Sequence, residues 1–367
     1  MTAEFPAKLT KNEAFKATQE ALRNSAVYSD SRITLSQGDS LNLLAHVPDN
    51  AVSLILTDPP YHSTKKSNIV NDRAFAEDEQ FLSWLEEYAK EWKRILRPNG
   101  TLYVFCSSIM SARLEVMLSH YFRPIAHVAW TKPNDPGYDG WKGKMKKESL
   151  RSWYPHSERL LMFEHGEYGT REAYRRSHFG EYLRDVRKQA KLSMHELTEI
   201  VGAYGKVNHG GAVANWEAGR NIPSQEQYEK IREAILASGN VNDMPVYEDV
   251  VRPMFLSKDI EYTDVWDFPS VKPFKGKHPA EKPLALLRHV IAASTYKNDT
   301  VLDCFAGSGS TAIAALELGR QAIGIEIEQR WIDRAIRDIK TIKVVQANTV
   351  DMNSPTIDAF TGTLFDS

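Results

Sequence analysis

One stretch restricts the fold more than any other, an apolar run at residues 51–56 that ends in Asp58-Pro59-Pro60-Tyr61. A run with almost no polar residue is typical of a strand buried on both faces of a parallel sheet. Two successive prolines fix φ and prevent a helix from continuing through them, so the segment after the strand is rigid. The sequence therefore predicts a stiff loop at the carboxyl end of a strand, where open α/β sheets place their ligands.

Strand and helix patterns alternate along most of the chain. Short apolar runs that alternate with helical spacing predict an α/β fold, with a mostly parallel sheet and helices on both faces. The predicted strands lie at residues 33–35, 51–56, 101–106, 122–130, 159–163, 300–305 and 321–327, and the predicted helices at 41–46, 81–96, 284–294 and 311–318.

Composition limits the classes of protein that the chain can belong to. With 367 residues and 42% hydrophobic content, it can bury one large core and a second, smaller module. The formal net charge of −2 argues against a uniformly basic surface, so contacts with nucleic acid must come from local patches. Cys106 and Cys304 lie in apolar runs, which predicts reduced core cysteines. A polar N-terminus and the lack of an apolar run of ~18 residues predict a cytoplasmic protein without a membrane segment.

The Asp58-Pro59-Pro60-Tyr61 segment, called the DPPY motif below, combines an acceptor, a rigid backbone and an aromatic ring. Asp58 can accept a hydrogen bond from a substrate amine, and the rigid segment can hold backbone carbonyls toward that amine. Tyr61 can stack on a base that has left the duplex. The alternative interpretation is a proline-stiffened turn whose aspartate caps a helix.

A glycine-rich loop at residues 303–311 separates a predicted strand from a predicted helix. Its glycines let a ligand approach the backbone, and the helix N-terminus offers free amides to a carboxylate or phosphate. The loop lacks the spacing of a dinucleotide fingerprint or a P-loop. Glu326 ends the next strand and suits a grip on ribose hydroxyls, although it can also be a solvated charge. The candidate ligand-binding residues of the loop are Asp303, Phe305, Gly307, Ser308, Gly309 and Thr311.

Together these motifs resemble the β class of S-adenosylmethionine-dependent amino methyltransferases of DNA, in which the catalytic tetrapeptide precedes the cofactor loop. The resemblance covers residues 31–165 and 258–340. It includes Gly38-Asp39, His156-Ser157-Glu158 and the pattern H-P-x-x-K-P that ends at Pro283. Several motifs in the same order make it specific. It implies a methyltransferase-type, Rossmann-like domain.

The resemblance also implies roles for single residues. It places Asp39 near the adenine of the cofactor, Glu326 on its ribose, and Lys282 with the glycine loop near its methionyl end. The aspartate of DPPY points to adenine N6 as the target, whereas a serine there more often accompanies cytosine N4. Both targets are aromatic amines, so positioning and electrostatics by Asp58 and the Pro59 carbonyl would dominate catalysis, with no metal required. Cytosine N4 remains an alternative, as does a DNA-binding regulator whose methyltransferase domain is inactive.

An inserted segment, residues 166–257, resembles the helix-turn-helix of phage repressors and Cro proteins. Ser193 and Glu196 predict a capping box at its first motif helix, and residues 206–216 are expected to hold the recognition helix. Residues 202–211 depart from the pattern because they are long and glycine-rich where a short turn is usual. β-class enzymes carry their target-recognition region at this place. The alternative is a helical insertion that only packs on the catalytic domain.

Candidate DNA contacts lie in two regions. A basic stretch interleaved with tryptophan and tyrosine suits the phosphates of a strained strand, although a solvated loop is the alternative. Residues 62–71 are a candidate lid over the flipped base. The predicted DNA-binding residues are Lys142, Lys144, Lys146, Lys147 and Arg151 in that stretch, and Lys206, Asn208, His209, Asn215 and Arg220 in the insert.

The expected organisation and partners follow from these assignments. The partner is double-stranded DNA, and the family resemblance adds a homodimer and a cognate restriction nuclease as partners to test. Leu364-Phe365 is a candidate docking motif for the groove of a replication clamp, but a disordered tail is the favoured interpretation. The predicted divisions are an extension at 1–30, a catalytic half at 31–165, the insert at 166–257, a cofactor-binding half at 258–345 and a tail at 346–367.

Overall fold

A computed structural model describes residues 9–61, 75–133, 156–166, 177–203, 211–256 and 263–342, together with residues 151 and 153. The described strands are β1 Ala26–Ser29, β2 Ile33–Gln37, β3 Val52–Thr57, β4 Leu96–Cys106, β5 Arg123–Thr131, β6 Ser157–Glu164, β7 Val265–Asp267, β8 Thr300–Asp303 and β9 Gln321–Glu326. The described helices are α1 Lys11–Ala21, α2 Ser40–Leu44, α3 Asp78–Ile95, α4 Ser111–Leu118, α5 His178–Gln189, α6 Met194–Val201, α7 Gly211–Glu217, α8 Gln225–Ala237, α9 Tyr247–Val250, α10 Leu284–Ser294, α11 Ser310–Glu317 and α12 Gln329–Thr341.

The strands form one sheet in the order β1-β2-β9-β8-β3-β4-β6-β5-β7. Neighbouring strands are parallel along the run β2-β9-β8-β3-β4 and between β5 and β7. They are antiparallel at β1–β2, β4–β6 and β5–β6. The predicted mostly parallel α/β sheet is therefore confirmed. The chain reaches the middle of the sheet twice, first with β3 and later with β8 and β9, so two distant parts of the sequence meet there.

Both faces of the sheet carry a hydrophobic core. Because successive side chains of a strand point to opposite faces, Ile55 of β3 packs in one core, and Leu54 and Leu56 pack in the other. Helices α1 to α4 cover the first face, and α10 to α12 cover the second. Such two-sided burial explains the continuous apolar run that predicted β3. Both cysteines are buried and free, as expected.

The segment before residue 30, which was predicted as an extension, contains a helix and a strand. Helix α1 is amphipathic and buries Ala14 and Phe15 in the first core, and β1 pairs with β2 at the edge of the sheet. Helix α1 and strand β1 therefore pack with the sheet and its first core. A capping box formed by Thr10 and Glu13 begins α1, a local signal that was visible in the sequence.

The inserted segment has a core of its own. Helices α5 to α8 pack around Leu183, Leu197, Trp216 and Ile231, all of which are buried. The predicted capping box of Ser193 and Glu196 begins α6, and Gly202 ends that helix in the left-handed conformation. Helix α7 overlaps the predicted recognition helix, but residues 204–210 lie outside the described residues. Among the helices that the structure describes, none is long and apolar enough to cross a membrane.

The end of the insert is attached firmly to the catalytic domain. Arg97 of β4, which is 2% exposed, pairs with Asp249 of α9 at 3.3 Å. Asn99 of the same strand donates its side-chain amide to the backbone oxygens of Glu248 and Val251. These partly buried bonds join the C-terminal end of the insert to β4 and restrict the orientation of the insert.

Candidate active site

A cleft opens at the carboxyl ends of β3, β8 and β9, which are neighbours in the sheet. Loops diverge there because the chain leaves parallel strands at the same edge. The cleft brings together most of the predicted catalytic and cofactor residues, although they come from chain segments more than 200 positions apart. Of these residues it is lined by Asp39, Asp58, Pro59, Pro60, Tyr61, Lys282, Asp303, Phe305, Gly307, Ser308, Thr311 and Glu326.

Asp58 follows β3 directly, and its two carboxylate oxygens have different partners. Oδ2 pairs with the ammonium group of Lys282. Oδ1 is buried and has no hydrogen-bond partner within the described part of the chain. Burial raises the pKa of Asp58, and the nearby Lys282 offsets part of that rise. A buried acceptor without a donor is costly, so this oxygen is suited to bind a donor supplied by a ligand.

Lys282 precedes α10 and is 9% exposed at its side chain. Burial by itself would lower its pKa, but Asp58 and Glu158 outweigh that effect and raise the pKa, which keeps the ammonium charged. Its nitrogen lies 5.2 Å from the ring centroid of Tyr61 and 4.9 Å from that of Phe105. The resemblance implied that Lys282 lies near the cofactor, and in the structure its ammonium group donates to Asp58 and to the backbone oxygen of Ala280 at 3.4 Å.

Glu158 is a site residue for which the sequence predicted no role. It accepts a hydrogen bond from the Tyr61 hydroxyl at 2.9 Å and pairs with Lys132. Burial would raise the pKa of Glu158, but Lys282 and Lys132 outweigh it and lower the pKa to about 2. The His156-Ser157-Glu158 motif was the sequence signal that could have indicated this role, because a charged residue at the start of a buried strand needs partners. Glu158 fixes the Tyr61 ring and supplies a second carboxylate beside Lys282.

Asp303 organises the glycine loop. Its carboxylate accepts hydrogen bonds from the Thr57 hydroxyl at 3.0 Å, the Thr311 hydroxyl at 2.7 Å and the Phe305 amide at 3.1 Å. Burial raises the pKa of Asp303 to about 6, against the opposing effect of these donors. Asp303 thus connects β3, β8 and the first turn of α11. Asp303 and Thr311 line the cleft, and the Thr311 hydroxyl is bonded to the Asp303 carboxylate.

Glu326 and the backbone of Gly307 form the opposite wall. The Gly307 amide donates to Glu326 Oε2 at 2.8 Å, and the Glu328 amide donates to Oε1 at 2.9 Å. Gly307 has φ +51°, and a Cβ there would lie 3.2 Å from the His278 ring. Only glycine fits this position without strain, so the backbone stays open toward the cleft.

Gly309 and Asp39, two of the predicted cofactor-binding residues, also have structural roles. Gly309 has φ +79° and does not line the cleft, since an added Cβ would lie 2.7 Å from Ala335 Cβ. This glycine permits close packing of the loop on α12. Asp39 accepts a hydrogen bond from the Asn42 amide and caps α2, while its exposed side chain remains at the edge of the cleft. Its capping role is compatible with a ligand contact.

The predicted DNA contacts are only partly within the described residues. Arg151 is exposed, as is Trp153 at 97%. In the insert, Arg220 Nη1 donates to Asn215 Oδ1 at 2.9 Å, so these two side chains share one surface. Outside the described residues lie Lys142, Lys144, Lys146, Lys147, Lys206, Asn208 and His209, the lid at 62–71, and Leu364-Phe365.

Comparisons with known proteins agree with this geometry. A family model described as DNA methylase, for N6 and N4 enzymes, matches residues 52–337. The DNA adenine methyltransferase YhdJ of Escherichia coli (strain K12) is 27% identical over 307 residues, which are 83% of this chain and 81% of that protein. The type II methyltransferase M2.MboI of Moraxella bovis is 23% identical and covers 87% of this chain and 92% of its own length.

A solved structure has the same fold. The PvuII DNA methyltransferase, described as cytosine-N4-specific, superposes with a TM-score of 0.51 at 17% identity. The match covers 89% of this chain and 91% of that one. At this identity the likeness concerns the arrangement of the sheet and helices.

Proposed function

The chain belongs to the N6/N4 family of S-adenosylmethionine-dependent DNA methyltransferases, and we propose that its target is N6 of an adenine in double-stranded DNA. The observation that supports an exocyclic amine as the target is Asp58 Oδ1, a buried acceptor without a partner in the described part of the chain, at the end of β3. An exocyclic amine supplies the hydrogen that such an oxygen lacks. The rigid prolines that follow keep this acceptor at a fixed place in the cleft.

The residues of the cleft fit S-adenosylmethionine. This cofactor supplies a methyl group on a positively charged sulfur, together with a ribose and an adenine. Glu326, which still has free lone pairs on both oxygens, would accept hydrogen bonds from the ribose hydroxyls. The open backbone at Gly307 would allow close approach, and exposed Asp39 would bind at the adenine. Asp303 and Gly309 would keep the loop in shape without touching the ligand.

Catalysis in this proposal depends on orientation. Asp58 and the Pro59 carbonyl would each accept one hydrogen of the amine, which turns the nitrogen lone pair out of the base plane and toward the methyl group. Asp58 is only 16% exposed, so a paired base in a duplex cannot bring its amine there. The target base must therefore leave the stack, and Tyr61, fixed by Glu158, would stack on it.

Adenine is favoured over cytosine by two observations. The first residue of the motif is an aspartate rather than a serine. The Escherichia coli relative, which matches along most of both chains, is named a DNA adenine methyltransferase. The PvuII enzyme is described as cytosine-N4-specific, but at 17% identity its likeness supports only the fold.

The insert would select the site on DNA. Helices α6 and α7 pack at the surface of a small helical core in the order of a helix-turn-helix. Arg220 and Asn215 share a surface next to α7, and both side chains are of the kinds that read guanine and adenine edges in the major groove. Site selection can be tested by band-shift titration with Arg220→Ala. Lys230→Ala is the matched control, since Lys230 is an exposed cation of the same insert paired with Glu226.

Methylation-aware sequencing of DNA from cells that express the protein tests the reaction, the base and the site together. We expect N6-methyladenine at one short sequence, and no methylation with Asp58→Asn, which keeps the size of the side chain. Asp49→Asn replaces an aspartate outside the cleft that is 70% exposed, and it should leave the pattern intact. N4-methylcytosine as the product would contradict the choice of adenine. Specific DNA binding without any methylated base would favour a regulator.

A further inference from the structure

Four charged side chains form a continuous row beside the DPPY motif. Lys282 pairs with Asp58, and its nitrogen lies 3.7 Å from Glu158 Oε2. Glu158 in turn pairs with Lys132. The exposed fractions of Lys282, Asp58 and Glu158 are 9%, 16% and 21%, so solvent screens these charges weakly. A proton gained or lost by one member therefore changes the energies of the others.

The two carboxylates of the row differ in how firmly they hold their charge. Asp58 has a pKa raised by burial, and its Oδ1 has no hydrogen-bond partner within the described residues. Glu158 has cations on two sides, and the Tyr61 hydroxyl donates to it. Its pKa lies at about 2 because the two lysines outweigh burial. Asp58 is therefore the more readily protonated of the two, and Glu158 remains a carboxylate.

Methyl transfer to an amine releases one proton. The lone pair of the nitrogen forms the new bond to the methyl carbon, and the electrons of the broken carbon–sulfur bond remain on sulfur. The nitrogen, which then has four bonds, must lose one hydrogen as a proton. Asp58 lines the cleft, its Oδ1 has no hydrogen-bond partner within the described residues, and in the proposed function this carboxylate already accepts a hydrogen bond from the amine. It is the protein oxygen best placed to take the proton.

We propose, on the basis of the methyl transfer proposed above, that Lys282 exchanges its partner from Asp58 to Glu158 while Asp58 takes this proton. A neutral Asp58 no longer compensates a buried ammonium group, and an unpaired buried charge is strongly unfavourable. Glu158 offers a second anion 3.7 Å from the same nitrogen. A lysine side chain covers such a distance by rotation about its flexible stem. When Asp58 gives its proton to water, Lys282 returns.

The surroundings of Lys282 suit such a movement. Its nitrogen lies near the rings of Tyr61 and Phe105, at 5.2 Å and 4.9 Å from their centroids. Aromatic faces attract a cation without binding it to one atom, so they stabilise the ammonium between its two partners. Tyr61 of the DPPY motif also donates to Glu158, so movement of the ammonium group toward Glu158 changes the electrostatic environment of Tyr61. Lys282 and Glu158 act through Asp58 and Tyr61 and are positioning residues.

The first test needs no methyl transfer. Infrared spectroscopy of the protein alone, titrated between acid and neutral pH, follows the protonated carboxyl band of Asp58, which Asp58→Asn identifies. Glu158→Gln removes a negative charge near Asp58 and should move the midpoint of the Asp58 titration to lower pH. Lys282→Met removes a positive charge and should move that midpoint to higher pH. The ionisable groups that face Asp58 from the surrounding elements are Lys282, Glu158, Tyr61, Cys106 and Asp303.

The second test measures the single-turnover rate of methyl transfer against pH. Glu158→Gln should lower the plateau at least about tenfold, because Lys282 then has no second partner, while the acid limb moves to lower pH. Lys282→Arg should recover part of the rate that Lys282→Met loses. Glu164→Gln is the matched control, since Glu164 is a buried carboxylate on the same strand, paired with Arg252 outside the cleft. It should leave the acid limb in place.

The outcomes separate this inference from the proposed function. A Glu158→Gln plateau within twofold of the wild type, or a lower plateau with an unmoved acid limb, would overturn the partner exchange. If Glu158→Gln does not fold, equal rates in Lys282→Met and Lys282→Arg would overturn it as well. Midpoints that move as expected in a protein that methylates no DNA would contradict the proposed function and still support the coupling of Lys282 to Asp58.

Discussion

Asp303→Asn should make the protein relatively more stable as the pH rises, although it removes a charge from a well-bonded group. Asp303 is 5% exposed, and burial raises its pKa from the ordinary 3.8 to about 6. An acid with a raised pKa binds more protons in the folded state than in the unfolded state. Its contribution to stability is therefore full below pH 3.8 and is lost as the pH rises to about 6.

The magnitude follows from the two pKa values. One pH unit corresponds to about 1.4 kcal/mol, so the rise from 3.8 to about 6 costs the folded protein about 3 kcal/mol at neutral pH. About 1 kcal/mol of this is already lost at pH 4.5, and about 2 kcal/mol is lost between pH 4.5 and pH 7.5. Asparagine does not titrate. It can still accept at Oδ1, and it can donate to the Thr311 hydroxyl through Nδ2.

Urea unfolding at pH 4.5 and pH 7.5 measures the difference. The free energy of unfolding of Asp303→Asn, relative to the wild type, should increase by about 2 kcal/mol between the two pH values. Asp49→Asn is the control, because its carboxylate is on the surface. A relative stability of Asp303→Asn that is constant, or that falls as the pH rises, would refute the reasoning. It would mean that the bonds to Thr57, Thr311 and the Phe305 amide outweigh burial.

Other substitutions test the loop, the insert and the ligand wall. Gly309→Ala should lower the free energy of unfolding by about 2 kcal/mol, since it adds both strain and a contact with α12, whereas Gly239→Ala, with φ +69° and open space around it, should lower it less. Arg187→Ala should destabilise the insert by about 3–5 kcal/mol because it leaves Glu217, 8% exposed, as an unpaired buried charge, which urea unfolding followed by tryptophan fluorescence would report. Glu326→Gln should weaken binding of S-adenosylhomocysteine at least about tenfold in calorimetry, because it removes charge-assisted bonds to the ribose, and unchanged affinity would exclude that role.

Local patterns carried much of the fold. The predicted helix at 284–294 has the observed bounds of α10, and β3 differs from its predicted range by one residue at each end. These elements were predictable because apolar periodicity reports burial directly. Strand β1 was not predicted, and the cause is the opposite one. Strand β1 has only four residues and lies at the edge, so its place depends on pairing with β2, which no local pattern specifies.

Local sequence patterns were sufficient to indicate which residues come together at the cleft. Asp58, the glycine loop and Glu326 could be named in advance because each ends or follows a predicted strand, and parallel strands end at one edge of the sheet. The roles of single side chains were less accessible. The sequence indicated Asp303 and Gly309 as ligand-binding candidates, and the structure adds that Asp303 bonds to Thr311 of the loop and that Gly309 packs on α12.

The charged row beside the DPPY motif could not be predicted from local sequence patterns. Lys282 and Asp58 are 224 positions apart, and Glu158 begins a strand on the far side of β4. Their meeting depends on the order of strands in the sheet, a property of long-range pairing. The sequence could show that each was a charged residue beside a buried element. Which carboxylate holds Lys282, and which holds Tyr61, depends on distances of 4 Å or less, and these exist only after the sheet is assembled.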